Sequence, residues 1–167
     1  LMKKINTTYT GENKLLIETD YVSYDLKTRI LESNTNSTLK DEFDNILSSN
    51  YFSYDLNKNI LKLKSANLKD IDHNNFFIDL AFINTKSNKL FGKDTTIDLS
   101  NKSFNEDNEP RLKGKSISYD NNITEISKGA FTTCKRRKDK CPPWQLSAEK
   151  IQHNKEKQVI NYKNALL

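Results

Sequence analysis

Thr19 to Ile30 reads Thr-Asp-Tyr-Val-Ser-Tyr-Asp-Leu-Lys-Thr-Arg-Ile, and Ser49 to Ile60 repeats it as Ser-Asn-Tyr-Phe-Ser-Tyr-Asp-Leu-Asn-Lys-Asn-Ile. Fainter echoes stand at 80–90, 115–123 and 149–159. A period of about 30 residues marks a repeat architecture, in which no unit buries its apolar face alone. Each unit reads as a strand, a polar turn and a returning strand. The turns combine Asp with Asn, Lys or Thr, residues that bond the local backbone through their side chains or tolerate positive φ.

Successive side chains of an extended chain point to opposite faces, so alternation tells which residues share an interior. Val22 and Tyr24 share a face in the first unit, Phe52 and Tyr54 in the second, and Ile117 and Tyr119 in a later one. The return strand puts Leu61 and Leu63 on one side, with Lys62 and Lys64 on the other. Carried through 76–82, the same period places Ile78, Leu80 and Phe82 together, with Asp79 facing out. Further strands are expected at 14–18 and 95–99. Leu39, Phe43 and Leu47 fall at helical spacing, and a short helix is the alternative there. Asn101 to Pro110, polar, acidic and closed by proline, reads as a loop. These patterns predict one all-β, mostly antiparallel domain over 1–167.

Composition sets the outer limits. With 35% hydrophobic and 29% charged residues, sheets with one apolar and one wet face are expected, while 10% aromatics argue against disorder. No stretch approaches the 18 or so apolar residues of a membrane helix. Leu1 to Asn6 has a basic start with no apolar run behind it, unlike a signal peptide. By pattern Ala165-Leu166-Leu167 stands mid-strand, which leads us to expect further sequence beyond it. Net charge is +5, and residues 128–167 hold 10 Lys/Arg against 3 Asp/Glu, so the positive field belongs to the final quarter. The enzyme classes find no support: there is no G-x-S-x-G, no Gly-rich phosphate loop and no His/Cys or carboxylate pair at a mechanistic spacing. No cofactor is indicated. Cys134 and Cys141 stand six residues apart, wider than the C-x2-4-C of a zinc site, so a metal is not expected and disulfide chemistry is.

The final stretch carries the most specific pattern. Gly129-Ala-Phe-Thr-Thr-Cys134 is followed by a loop containing Cys141-Pro142-Pro143, then Trp144-Gln-Leu-Ser-Ala-Glu-Lys-Ile151, then Tyr162-Lys-Asn-Ala165. In its order of G-x-(Y/F)-T-(T/S/A)-C, W-x-(L/I)-x-A-x-x-I and N-A, it resembles the segment closing the periplasmic domain of the LPS-assembly protein family (LptD/OstA, organic solvent tolerance proteins). The resemblance implies an OstA-like β-jellyroll of two apposed sheets in a V, a non-enzymatic lipopolysaccharide conduit at the periplasmic face of the outer membrane. It also implies three partners: a periplasmic jellyroll bridge protein joined by edge-strand addition, an outer-membrane barrel in the same chain, and the barrel's plug lipoprotein. A free-standing bridge protein of the same superfamily is one alternative, and the GAFTTC and WQLSA elements speak against it. A basic all-β nucleic-acid-binding domain is the alternative from another class.

On this reading the groove for acyl chains is lined by Val22, Tyr24, Phe52, Tyr54, Leu61, Leu63, Ile78, Leu80, Phe82, Ile117 and Tyr119, and the same residues serve equally as ordinary core. By the resemblance Cys134 pairs with a cysteine at the far end of the barrel, and a Cys134–Cys141 bridge competes. Lys135, Arg136, Arg137 and Lys138 read as a solvated loop, as a contact for anionic lipid, or as a nucleic-acid signal. No helix-turn-helix, zinc-finger or RRM pattern accompanies that run, and nucleic acid is not the expected partner.

Overall fold

The computed structural model describes residues 5–10, 14–41, 44–71, 73–100, 107–120, 122–137, 142–154, 156–157 and 159–167; of residues 5–10 and 14 it describes the backbone alone. Fourteen strands follow one another: β1 (Ile5–Thr10), β2 (Lys14–Thr19), β3 (Ser23–Asp25), β4 (Ile30–Ser33), β5 (Ser37–Lys40), β6 (Ile46–Ser49), β7 (Tyr51–Asp55), β8 (Ile60–Lys69), β9 (Asn75–Asn84), β10 (Lys89–Asp98), β11 (Arg111–Asp120), β12 (Ile123–Thr132), β13 (Leu146–Asn154) and β14 (Val159–Leu166). All pairs are antiparallel and belong to one sheet, with no helix among the described residues. The helical spacing at 39–47 is overruled: Leu39 lies on β5 and Leu47 on β6, directly paired across a hairpin, while Phe43 lies outside the described residues.

The repeat becomes a set of hairpins closed by side-chain caps. Asp25 Oδ1 accepts the N–H groups of Lys27 and Thr28 at 2.8 and 3.0 Å, and Asp55 Oδ1 those of Asn57 and Lys58, each at 3.0 Å. Asn84 Oδ1 does the same for Lys86 and Ser87. Each turn then ends on a left-handed residue, Arg29, Asn59 or Asn88, which reverses the chain into the next strand.

The sheet forks at β8. Its first half pairs with β7 and through it with β4 and β3; its second half pairs with β6 and through it with β5, β2 and β1. From β8 to β14 the strands run unforked as a meander. Along these strands the spacing between inward residues lengthens from two to three at mid-strand. Leu63 and Ala66, Ile78 and Ala81, Gly92 and Thr95, Ile126 and Gly129, and Ala148 and Ile151 are buried pairs with two outward residues between them. At the step Ser65, Asp94, Lys128 and Asn164, on alternate strands, take positive φ. The ladder skips one pair there, or two between β11 and β12, so Asp79 stands opposite Ser65 and Asp94, Lys115 opposite Asp94 and Lys128, and Glu149 opposite Lys128 and Asn164.

A non-glycine residue in the left-handed region costs about 1–2 kcal/mol, so the kink persists only where packing offsets it. Here the two halves of each strand bury opposite faces of their own pleat into one core. Volume is shared across the kink. A large residue on one side faces a small one on the other: Leu63 with Ala66, Ile78 with Ala81, Ile126 with Gly129, Ile151 with Ala148. At Gly92 an added Cβ would lie 2.7 Å from Ile78 Cγ2 and 2.8 Å from Ile117 Cγ2.

Where the early strands break instead of kinking, hydroxyls take over the unpaired backbone groups. The Oγ of Ser49, the last residue of β6, lies 2.6 Å from the carbonyl oxygens of both Tyr51 and Lys64. Thr19, Ser33, Thr35 and Ser37 bond one another at 2.9–3.4 Å where β2, β4 and β5 meet. In contrast, the buried Thr95 Oγ1 has no hydrogen-bond partner among the described residues. Thr95→Val keeps the shape and removes that unpaired hydroxyl. A gain of about 1 kcal/mol in urea unfolding is expected, and a loss would show that the hydroxyl is satisfied in solution.

Candidate functional site

The inner face is the first candidate. One row of it runs from β7 to β14 as Phe52, Leu63, Ala81, Gly92, Ile117, Ile126, Ile151 and Tyr162. The neighbouring row runs from β3 as Tyr24, Leu31, Tyr54, Leu61, Ile83, Leu90, Tyr119, Thr124, His153 and Ile160. Phe52, Tyr54, Leu61, Leu63 and Ile117 are buried in the centre of these rows and Ile78 is buried across the kink from them, with Val22 packed against the core and Tyr119 half-buried. Tyr54 satisfies its hydroxyl on Thr85 Oγ1 at 2.8 Å.

Burial falls away at the lateral ends. Phe52 and Leu63 are 0% exposed, whereas Tyr24 on β3 is 45% exposed, and Tyr162 and Ile160 on β14 are 39% and 53%. The centre is therefore a dry core, and among the described residues the inner face is most open to water at its lateral ends.

Leu80 and Phe82 do not join this face. Leu80 pairs with Lys64 and Lys93, and Phe82 with Lys62 and Phe91, all on the outer side. Strict alternation from Ile78 placed them inside. The kink opposite Ser65 and Asp94 moves the inward set from Ile78 to Ala81 and Ile83, so the expectation for these two residues is corrected. Lys62 and Asp79 do face out as expected. The one trace of the kink in the sequence is a three-residue step between inward residues, usually one large and one small in either order, as at Leu63 to Ala66 and Ala148 to Ile151.

The closing motif has a structural account of its own. Gly129, Ala148 and Ala165 form one row beside the kink, and Ile151 and Tyr162 pair on its other side. Thr132 Oγ1 donates to the Trp144 carbonyl at 2.8 Å and accepts the Cys134 N–H at 3.2 Å. Phe131 and Trp144 meet edge to face with ring centroids 6.1 Å apart. Gly129, Phe131, Thr132, Trp144, Ala148, Ile151, Tyr162 and Ala165 of the motif thus serve packing or loop closure.

Around the loop that follows β12, the basic run meets acids. Lys135 Nζ lies 2.6 Å from Asp107 Oδ1, and Arg136 pairs with Asp98 and lies 3.9 Å from Glu109 Oε2. Arg136 N–H also donates to Glu109 at 2.8 Å. Arg137 is exposed, and Lys138 lies outside the described residues. The charge that made this run a candidate anion contact is thus partly neutralised inside the chain, though exposed pairs of this kind add at most about 1 kcal/mol to stability.

Cys134 carries a free thiol, and its possible partner Cys141 lies outside the described residues. The Thr132 hydroxyl lowers the thiol from its ordinary value of 9.0, burial opposes it, and the Trp144 backbone and then the Arg111 and Arg137 charges add to the lowering. A lower value means more thiolate at neutral pH. Iodoacetamide is therefore expected to alkylate Cys134 at pH 7 faster in the folded than in the urea-unfolded chain, and Thr132→Val to slow it. Equal rates in both proteins would rule out this environment.

Among the described residues no group of His, Cys, Asp and Glu is placed to hold a metal, and no helix is long and apolar enough to cross a membrane. Comparison with protein-family models and with curated proteins finds no match to this chain.

Proposed function

We propose that this chain is the periplasmic β-jellyroll of a lipopolysaccharide translocon, its single sheet folded at the kink line into two apposed layers. Its inner face would pass acyl chains toward an outer-membrane barrel. The observation that carries the reading is the inner apolar face: continuous across the sheet, dry at the centre and uncovered at Tyr24, Ile160 and Tyr162. An acyl chain laid on such a surface contributes about 0.8 kcal/mol per buried methylene. The order of the GAFTTC, WQLSAEKI and NA elements supports the family, and the β1 edge offers unpaired backbone for strand addition by a bridge protein.

The dry centre changes which residues do the work. Phe52, Leu63 and Ile78 act as core, and lipid contact belongs to the open ends. Photo-crosslinking residues at Tyr24, Ile160 and Tyr162, in the full-length protein during active transport, are expected to capture lipopolysaccharide. Probes at Phe52 and at outward Thr38 are expected to stay silent. Capture from Thr38 alone, or from no inward position, would reject the conduit.

A further inference from the structure

The outer face over β8–β10 carries a patch that neither the core nor the transport reading uses. Lys62, Phe82 and Phe91 form one row across the three strands, and Lys64, Leu80 and Lys93 form the next. Leu80 is thus flanked by a lysine on each neighbouring strand and Phe82 by Lys62 on one side and Phe91 on the other, the strands lying about 4.8 Å apart. Phe91 is 54% exposed. Lys62 and Lys64 have no acidic partner among the described residues: Lys62 Nζ lies 5.9 Å from the Phe82 ring centroid, and Lys64 Nζ 4.5 Å from that of Tyr51. Lys93 has only Asp94, at 3.9 Å in open solvent. Farther along the second row Lys150 and Lys163 are paired with Glu125 and Glu149, so within these two rows the lysines left without an acid are those of β8, beside Leu80 and the exposed Phe91.

We propose that this patch docks on an anionic lipid bilayer, its ammonium groups at the headgroup phosphates and Phe91 and Leu80 in the interfacial layer. Charge complementarity names the surface. Lysine stems lie along apolar neighbours while their heads reach outward, and aromatic rings settle at the headgroup level. Each lysine held at an anionic surface adds about 1 kcal/mol, or roughly fivefold in affinity. The same geometry disfavours single-stranded nucleic acid, which binds by stacking bases on free ring faces. Lys64 and Lys62 already occupy positions over Tyr51 and Phe82, and a base would have to displace them.

Co-sedimentation with vesicles of phosphatidylcholine alone, and of phosphatidylcholine mixed with phosphatidylglycerol, tests the proposal; neither contains lipopolysaccharide, so the result is independent of the transport reading. The chain is expected to sediment with the anionic vesicles at low salt, to be released at high salt, and to ignore the neutral ones. Lys62→Glu with Lys64→Glu should cut the partition coefficient at least about 25-fold, two lysines at about fivefold each. Phe91→Ser should cut it severalfold. Lys27→Glu with Lys157→Glu, the same charge change at exposed turns, should cost far less. Circular dichroism checks folding, and Lys62→Gln with Lys64→Gln replaces the first pair if it unfolds. The proposal is overturned by absent binding to anionic vesicles, by equal binding to neutral ones, or by equal losses in the control pair. Tight binding of an oligothymidine lost through the same substitutions, without vesicle binding, would assign the patch to nucleic acid instead.

Discussion

Gly114→Ala is expected to destabilise the chain by about 1–3 kcal/mol, and Gly114→Val to leave little folded protein. None of the described glycines needs positive φ, so the cost comes from space alone. A Cβ at Gly114 would overlap Ile126 Cγ2 and sit 3.3 Å from the Ser127 carbonyl oxygen. Both neighbours belong to the strand on which Lys128 makes the kink, so neither gives way freely. Gly92→Ala should cost as much, because its Cβ is trapped between the stiff branched methyls of Ile78 and Ile117. Gly129→Ala should cost least: its nearest contact, at 2.7 Å, is Ile151 Cδ1, the far end of a side chain that can turn. Ile126→Leu removes the obstructing Cγ2 at nearly constant volume. Combined with Gly114→Ala it should recover part of the loss, read as a favourable coupling in a double-mutant cycle by urea unfolding. Additive losses would mean that the glycine is not there to make room for Ile126.

Phe52→Ala is expected to cost about 3–5 kcal/mol, and Phe82→Ala less than about 1 kcal/mol. Phe52 is fully buried and pairs with Leu63 at the centre of the core, so truncation leaves a cavity. Phe82 lies on the outer face and loses mainly the contact with Lys62, an interaction of about 0.5–1 kcal/mol where exposed. Leu63→Ala and Leu80→Ala should divide in the same way. Chemical unfolding of the four variants decides the matter. Comparable losses for Phe52→Ala and Phe82→Ala would restore unbroken alternation through β9 and remove the kink from the account of that strand.

The strands, their turns and the faces within each half-strand were legible in the sequence, because each depends on local chemistry. Tyr-x-x-Tyr-Asp announces a strand running into a turn, and Asp25 and Asp55 cap their turns as Asp residues there should. Val22, Phe52, Tyr54, Leu61, Leu63 and Ile117 fell on the inner face because period-two alternation holds until the kink. The helical spacing of Leu39 and Leu47 misled because hairpin partners in register can mimic it.

Only the tertiary structure decided where alternation breaks. Ser65, Asp94, Lys128 and Asn164 have no intrinsic preference for the left-handed region strong enough to reveal the kink, and none of them is glycine. Their conformation is repaid by packing across strands: the large residue on one side of each kink fills the space left by a small residue on the neighbouring strand. The sequence therefore determined an all-β repeat with one apolar face per half-strand. Which way Leu80 and Phe82 point, how two half-faces make one core, and why lysines gather outside β8–β10 were set by contacts between residues far apart in the chain.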